Sequence, residues 1–546
     1  MTAQFGVPHT GVLSAIGPTR SPSLRDAYRR DGSWRGETLW QTIDATAGRH
    51  PNAVAVVDGA TRVNFSDLAA RAARTAAGLA ALGVRAGDAV AVQLPNWHET
   101  IVAYLAIARL GAIVTPILPI HRQRELAFIL NQVGARLLLA PGRLRDCDHR
   151  ELVDEIRPRV PALEHVVIVR DDAPQGMHAW TAIETGDGTT APIASDPEAV
   201  VLVLYTSGST ADPKGVLHSH ETLLAEARSL GPVHGLGPGD TTLMPSPLAH
   251  ISGIVHAVLV PVVFGARAVL MDRWDPAAAL ALIAAERVTY MVGAPTFLRD
   301  LAHHPDLARH DVSSFRLFSC GGADVDPTLV REAAARLGCV AKRVYGSSEF
   351  PTITTCGPDD PPARRVETDG RPIGAAEIRL VDDDGDPVAA ATEGEILARG
   401  PECFLGYRDA ALDADAFTAD GWFRTGDLGV VDTEGYLRIT GRKKDIIIRK
   451  GENISAREVE DLVASHPAVA EVAVVGVPDP AAGEIACAVV RVRPGAAAPD
   501  LAALTAHLLA AGLSKRKLPE RLALVDDFPR TASGKILKRS LRQQLS

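Results

Sequence analysis

Short apolar runs alternate with amphipathic stretches along most of the 546 residues, and turn formers separate them. Val54–Val57 and Arg62–Asn64 flank Asp58-Gly59, which predicts a hairpin. Ser66 reads as the cap of a helix through about Leu82, stopped by Gly83. Strand text at Ala89–Val92, Ala112–Pro116 and Arg136–Ala140 alternates with helical text at 97–110 and 121–133. That rhythm predicts an α/β domain with a largely parallel sheet. Val201–Tyr205 is a further short buried strand, and a helix begins beyond His218. The alternation resumes with a helix after Pro276 and strands at Thr289–Val292 and Phe315–Ser319. Two similar α/β halves side by side, with a ligand at their strand ends, follow from this pattern.

The texture changes near residue 370. Short strands at Glu377–Val381, Glu395–Ala398 and Tyr436–Ile439 alternate with Asp-Gly turns, which predicts a small β-rich lobe. Ser455-x-x-Glu458 is a capping box opening a helix with Val459, Leu462 and Val463 on one face. Strands at Val472–Val475 and Ala486–Val492 and a helix from about Leu501 complete a small mobile α+β unit. The expected division is an irregular arm at 1–37, a large domain at 38–440, a hinge at 441–445 and a small lid domain at 446–546.

Bulk properties narrow the function. A chain this long exceeds one ordinary core, and a net charge of −9 argues against a nucleic-acid partner. Six cysteines without CxxC spacing suggest neither zinc nor a disulfide framework, so a reduced, cytoplasmic setting is expected. Met1–Arg20 lacks the pattern of a signal peptide. Ile254–Leu270, the most apolar stretch, is broken by His256, Pro261, Gly265 and Arg267 and reads as buried core, not as an integral membrane segment. Nothing here decides against a homodimer.

Several stretches carry candidate chemistry. Thr206, Ser207, Ser209 and Thr210 surround Gly208, so hydroxyls and backbone N–H groups can meet phosphate oxygens, with Lys214 as a mobile cation. The spacing is not the Walker pattern. A carboxylate at Glu349 in Val344-Tyr-Gly-Ser-Ser-Glu349 suits a hard divalent cation. Asp427, in Gly421-Trp-Phe-Arg-Thr-Gly-Asp427, can accept two hydrogen bonds from a vicinal diol. Gly441-Arg-Lys-Lys-Asp445 is a glycine-led basic run, and Lys535 follows Gly534 in Pro529-Arg-Thr-Ala-Ser-Gly-Lys535. Each has a plain alternative: a polar surface turn, a capping acid, a Gly-Asp turn, a solvated loop, a tail lysine. His250 in Pro247-Leu-Ala-His250-Ile-Ser-Gly253 fits a core histidine as well as a site residue.

Taken together and in order, these segments resemble the signatures of the adenylate-forming family, which includes acyl-CoA synthetases, luciferases and peptide-synthetase adenylation domains. The resemblance runs from about residue 38 to 540, with Ala211 where the family usually has glycine and Ser348 where it has threonine. It implies ATP on Thr206–Thr210 and Lys214, Mg²⁺ at Glu349 and Thr206, and the nucleotide beside Tyr345, Gly346, Ser347 and Ser348. It further implies the ribose on Asp427, a nucleotide contact from Arg442 and a pivot at Lys444. Gly322 and Ala323 would lie by the adenine, and an acid pocket would draw on His250, Ile251, Gly253, Val255, Gly321, Gly322, Val325 and Pro351. Thr206, Glu349, His250 and above all Lys535 would be catalytic, with Lys535 offsetting charge on the α-phosphate. Gly451-Glu-Asn-Ile-Ser455 resembles bacterial short- to medium-chain fatty acid and cyclohexanecarboxylate ligases. The implied activity is activation of a fatty, alicyclic or aromatic acid and its transfer to coenzyme A. The other acceptors are a carrier-protein thiol, an amine or nitrite.

Overall fold

The computed structural model describes residues 22–185, 195–206, 213–323, 325–449, 452–479, 482–511, 513, 515–531 and 534–545. Two large twisted sheets form from the alternating apolar runs. An eight-stranded sheet has Ala89–Val92, Ile113–Pro116, Leu137–Pro141, His165–Val169 and Val200–Thr206 at its centre. A nine-stranded sheet has Val54–Asp58, Arg267–Leu270, Thr241–Met244, Tyr290–Gly293, Leu317–Cys320 and Val340–Tyr345 side by side and parallel. These strands read as unbroken apolar text because helices cover both faces, as a parallel sheet requires.

One apolar core joins the sheets. It takes Val90, Val114 and Leu202 from the first and Val56, Met244 and Tyr290 from the second. Helix His98–Arg109 is buried on almost every side between them, so its sequence shows no polar stripe. Because the parallel strands point their C-terminal ends the same way, the loops after them meet on one rim, where ligands of such folds bind.

The β-rich lobe is a four-stranded antiparallel sheet of Glu377–Val381, Gly394–Arg399, Phe423–Val431 and Leu437–Arg442. The turn Lys443–Asp445 leads from it to Ile446–Arg449 of the last sheet, built with Glu452–Ser455, Val469–Asp479, Gly483–Val492 and Arg521–Leu524. That sheet has its own core around Val459, Val474 and Leu504.

Three local expectations are corrected. The helix expected to start at Ser66 spans Phe65–Ala81, and Asn64 caps it by accepting the Asp67 N–H at 2.7 Å. Asn64 reaches an orphan donor two residues earlier than Ser66 could. The arm expected to be irregular contains helix Pro22–Arg30, because Arg25 and Arg29 pair with Glu198 while Tyr28 packs on Trp34. Ser455 does cap helix Ala456–Ala464, but Glu458 does not complete the box; its carboxylate pairs with Lys517 at 2.6 Å. Among the described residues no helix is long and apolar enough to cross a membrane, and Ile254–Leu270 is a buried helix and strand.

Candidate active site

Strands Val200–Thr206 and Lys214–Ser219 form a hairpin in which Thr206 is registered against Lys214. Ser207, Gly208, Ser209 and Thr210, which follow Thr206 in the sequence, lie outside the described residues. Lys214 extends over the Tyr407 ring with Nζ 4.6 Å from its centroid. The Tyr407 hydroxyl donates to Glu349 Oε1 at 2.8 Å. One tyrosine therefore spaces the hairpin's cation from the carboxylate, and burial together with that carboxylate pushes its phenol far above the usual range. Gly215 is required here: a Cβ would lie 2.9 Å from that of Arg408.

The segment from Tyr345 to Glu349 turns tightly after its strand. A Cβ on Gly346 would strike the Pro351 carbonyl at 2.0 Å, so only glycine fits. Ser347 Oγ accepts the N–H groups of Glu349 and Phe350, and His218 Nε2 meets the Ser348 carbonyl at 2.8 Å. Tyr345 donates to Asp427 Oδ2 at 2.8 Å, and Arg442 pairs with Oδ1 at 2.8 Å. Asp427 is only 5% exposed, and its charge holds the Arg442 guanidinium above its ordinary range. Each carboxylate oxygen keeps a lone pair for a further donor. Lys444 lies in the turn directly after Arg442.

The opposite side of the rim is built by Asn96. Its Nδ2 donates to the carbonyls of Met244, Ser246 and Met271, and its Oδ1 accepts the Leu248 N–H at 2.8 Å. Tyr104 adds a bond to the Leu248 carbonyl at 3.1 Å. The loop so fixed ends at His250, which caps the following helix through Nδ1, 3.3 Å from the Ser252 N–H. Gly253 lets that helix turn back, since a Cβ would sit 2.1 Å from the Pro247 carbonyl.

Lys535 arrives from the far end of the chain. Thr531 and Lys535 close a turn through the Thr531 N–H on the Lys535 carbonyl at 2.8 Å, and Gly534 fills its left-handed position at φ 86°. The ideal Cβ position on Gly534 lies 3.9 Å from Thr296 Oγ1 in the large domain. Burial and the Lys535 ammonium hold the His250 imidazole down at about 4, so the ring is neutral near pH 7. Gly321 admits no side chain, because a Cβ would lie 2.4 Å from the Val344 carbonyl; Gly322 is exposed at φ 78° and Ala323 half-buried. Ile251, Val255 and Val325 are packed within apolar clusters, and Pro351 is half-buried.

Asn96, Tyr104, His218 and Tyr407 did not stand out in the sequence. Each acts across long chain separations, which a local pattern does not reveal.

The AMP-binding enzyme family model matches residues 43–408, and that of the AMP-binding enzyme C-terminal domain matches 458–535. This chain belongs to the adenylate-forming, AMP-binding family. A medium-chain fatty-acid–CoA ligase of Escherichia coli (strain K12) is 37% identical, covering 96% of this chain and 94% of the relative. ATP-bound MatB from Rhodopseudomonas palustris superposes with a TM-score of 0.84 at 29% identity, covering 93% of this chain and 99% of that one. The amide bond synthetase McbA from Marinactinospora thermotolerans superposes at 0.82 with 30% identity, covering 93% and 100%. The fold, with its large two-sheet part, β lobe and small C-terminal part, is that of the family. As a member, the chain binds ATP and activates a carboxylic acid by forming an adenylate.

Proposed function

We propose that the activated acid is passed to coenzyme A, making the chain an AMP-forming acid–thiol ligase. The observation that carries this reading is the 37% identity, over 96% of the chain, to a fatty-acid–CoA ligase; the Lys535 ammonium acting on the His250 imidazole supports the first half-reaction. In the first half-reaction a carboxylate oxygen of the acid attacks the α-phosphorus of ATP. The bond from that phosphorus to the bridging oxygen breaks, and pyrophosphate leaves with the electron pair. Lys535 holds a fixed positive charge where negative charge grows, typically the largest single catalytic contribution. Neutral His250 orients the acid without adding a competing charge.

Lys214, Thr206 and the Ser207–Thr210 turn hold the triphosphate, while Tyr345, Asp427 and Arg442 receive the nucleoside. Glu349 engages Tyr407 through Oε1, and its carboxylate together with the Thr206 hydroxyl forms a hard oxygen set that suits Mg²⁺. Bound there, the ion would offset charge on the phosphates. In the second half-reaction the part of the chain after Asp445 swings about Lys444, Lys535 withdraws, and the thiol sulfur attacks the acyl carbon. The carbon–oxygen bond to the phosphate breaks, AMP leaves, and the thiol proton passes to solvent. Such a swing needs only a few residues that absorb a backbone change, which a glycine-led polar turn supplies.

The likeness to an amide bond synthetase supports an amine as the alternative acceptor. Incubating the enzyme with ATP, a panel of acids and either coenzyme A, a carrier protein or an amine separates the readings by product mass. Acyl-CoA as the main product is expected; amide without thioester would overturn the proposal.

A further inference from the structure

One face of the nine-stranded sheet, below the acid end of the site, is unlike the rest of the core. Strand register puts Thr242 beside Tyr290 and Val292 beside Ser319 and Lys342, so these side chains share that face. Against them pack His234, at the end of helix His220–His234, and His256, in the π-turn Val255–Leu259. His256 stands edge-on to both His234, at 6.3 Å, and Tyr290, at 6.1 Å between ring centroids. All are buried: Thr242, Tyr290 and Ser319 are 0% exposed, His234 3% and His256 4%.

Among the described residues, the Ser319 hydroxyl and His256 Nδ1 make no hydrogen bond within the protein, while the Tyr290 and Thr242 hydroxyls meet only each other and His234 only the Leu230 backbone. Buried polar groups are almost always paired, and each unpaired one carries a desolvation penalty. Groups left open in this way on one buried face have capacity for a partner from outside the chain. Burial keeps both imidazoles neutral, His256 down at about 3 and His234 well below its ordinary value. At the edge, Lys342 already donates to the Val233 carbonyl at 2.7 Å and to that of Cys356. The cluster thus offers uncharged donors and acceptors, suited to a hydroxyl or carbonyl oxygen and not to a second carboxylate.

Its position links it to the acid. His256 follows His250 on one unbroken helical run, about 9 Å further along at ~1.5 Å per residue. Ser319 lies on strand Leu317–Cys320, two residues before Gly321 just past the strand's end. An acid with its carboxylate at His250 and Lys535 would extend along this wall.

We propose that Ser319, His256, Tyr290, Thr242 and His234 form the far wall of the acid pocket and select an acid with an uncharged hydroxyl or oxo group about 9 Å from its carboxylate. The inference rests on the adenylation reading above. Six- to eight-carbon acids, each with and without a terminal hydroxyl or oxo group, are compared by kcat/KM in ATP–pyrophosphate exchange. The substituted member of a pair is expected to win by about 10-fold or more, since a site built to bond a hydroxyl rejects the analogue lacking it. In S319A and H256F that ratio should shrink several-fold, with folding checked by thermal melting. S319A removes one oxygen from a buried position and serves where H256F fails to fold. Exchange that favours the plain acids, or a ratio that neither variant moves, would overturn the inference and leave water as the cluster's partner. No exchange with any acid would overturn the adenylation reading itself.

Discussion

The two sides of the site are wired differently. On the nucleotide side, Tyr345, Asp427, Arg442, Tyr407 and Glu349 are all engaged by protein partners. On the side proposed to take the acid, Ser319 and His256 leave polar atoms without one. A side that meets the same nucleotide in every cycle gains from donors fixed in advance, because prepositioned dipoles cost no reorganisation. A side that must distinguish acids keeps its hydrogen-bonding capacity for the ligand, at some expense in stability. Lys535, from the small C-terminal part, acts on His250 at this meeting point.

The sharpest break of that arrangement is Lys535→Ala. Adenylate formation should fall by about 10²–10³-fold or more, while thioester formation from supplied acyl-adenylate persists. Stopped assays of each half-reaction test this; an equal loss of both would remove Lys535 from its role. Asp427→Asn should come next, raising KM for ATP about 10- to 100-fold, the range expected for hydrogen bonds to a charged group. Initial-rate kinetics with ATP varied would show it, and an unchanged KM would make the buried trio purely structural.

A matched pair of deletions tests the wiring directly. Tyr345→Phe removes a bonded hydroxyl and should cost about 1–2 kcal/mol, whereas Ser319→Ala removes an unbonded buried one and should raise stability by about 1 kcal/mol. Denaturant melts of both variants without ligand compare them; equal costs would erase the contrast.

The smallest effect concerns Glu226, on the same helix as His234. Burial, and then the nearby Glu402 charge, raise its carboxyl to about 8. The folded chain keeps that proton up to about pH 8, while an unfolded one releases it near pH ~4.3. Protons bound by the folded state exceed those bound by the unfolded state between these values, so stability falls as pH rises through that window. Glu226→Gln should flatten this fall, narrowing the difference in Tm between pH 5 and pH 8.5 by a few degrees (roughly 2–4 °C per kcal/mol). An unaltered slope would show that Glu226 is ionised in the folded chain.

The sequence by itself determined the alternation of strands and helices, the small β-rich lobe and the order of the motifs. These are local: apolar period, turn residues and a few short signatures suffice to set them, and the family resemblance followed from them. Caps were less legible, as Asn64 and Glu458 illustrate, because neighbouring side chains compete: Asn64 caps ahead of Ser66, and Lys517 engages the Glu458 carboxylate. Tertiary structure alone decided that Tyr407 stands between Lys214 and Glu349, that Asn96 fixes the loop before His250, and that the Lys535 charge is felt by that histidine. It also decided that His234, His256, Tyr290 and Ser319, unremarkable in the text, face one another. Those facts depend on strand register and on contacts between distant segments, which hydrophobic pattern constrains only by face and never by partner.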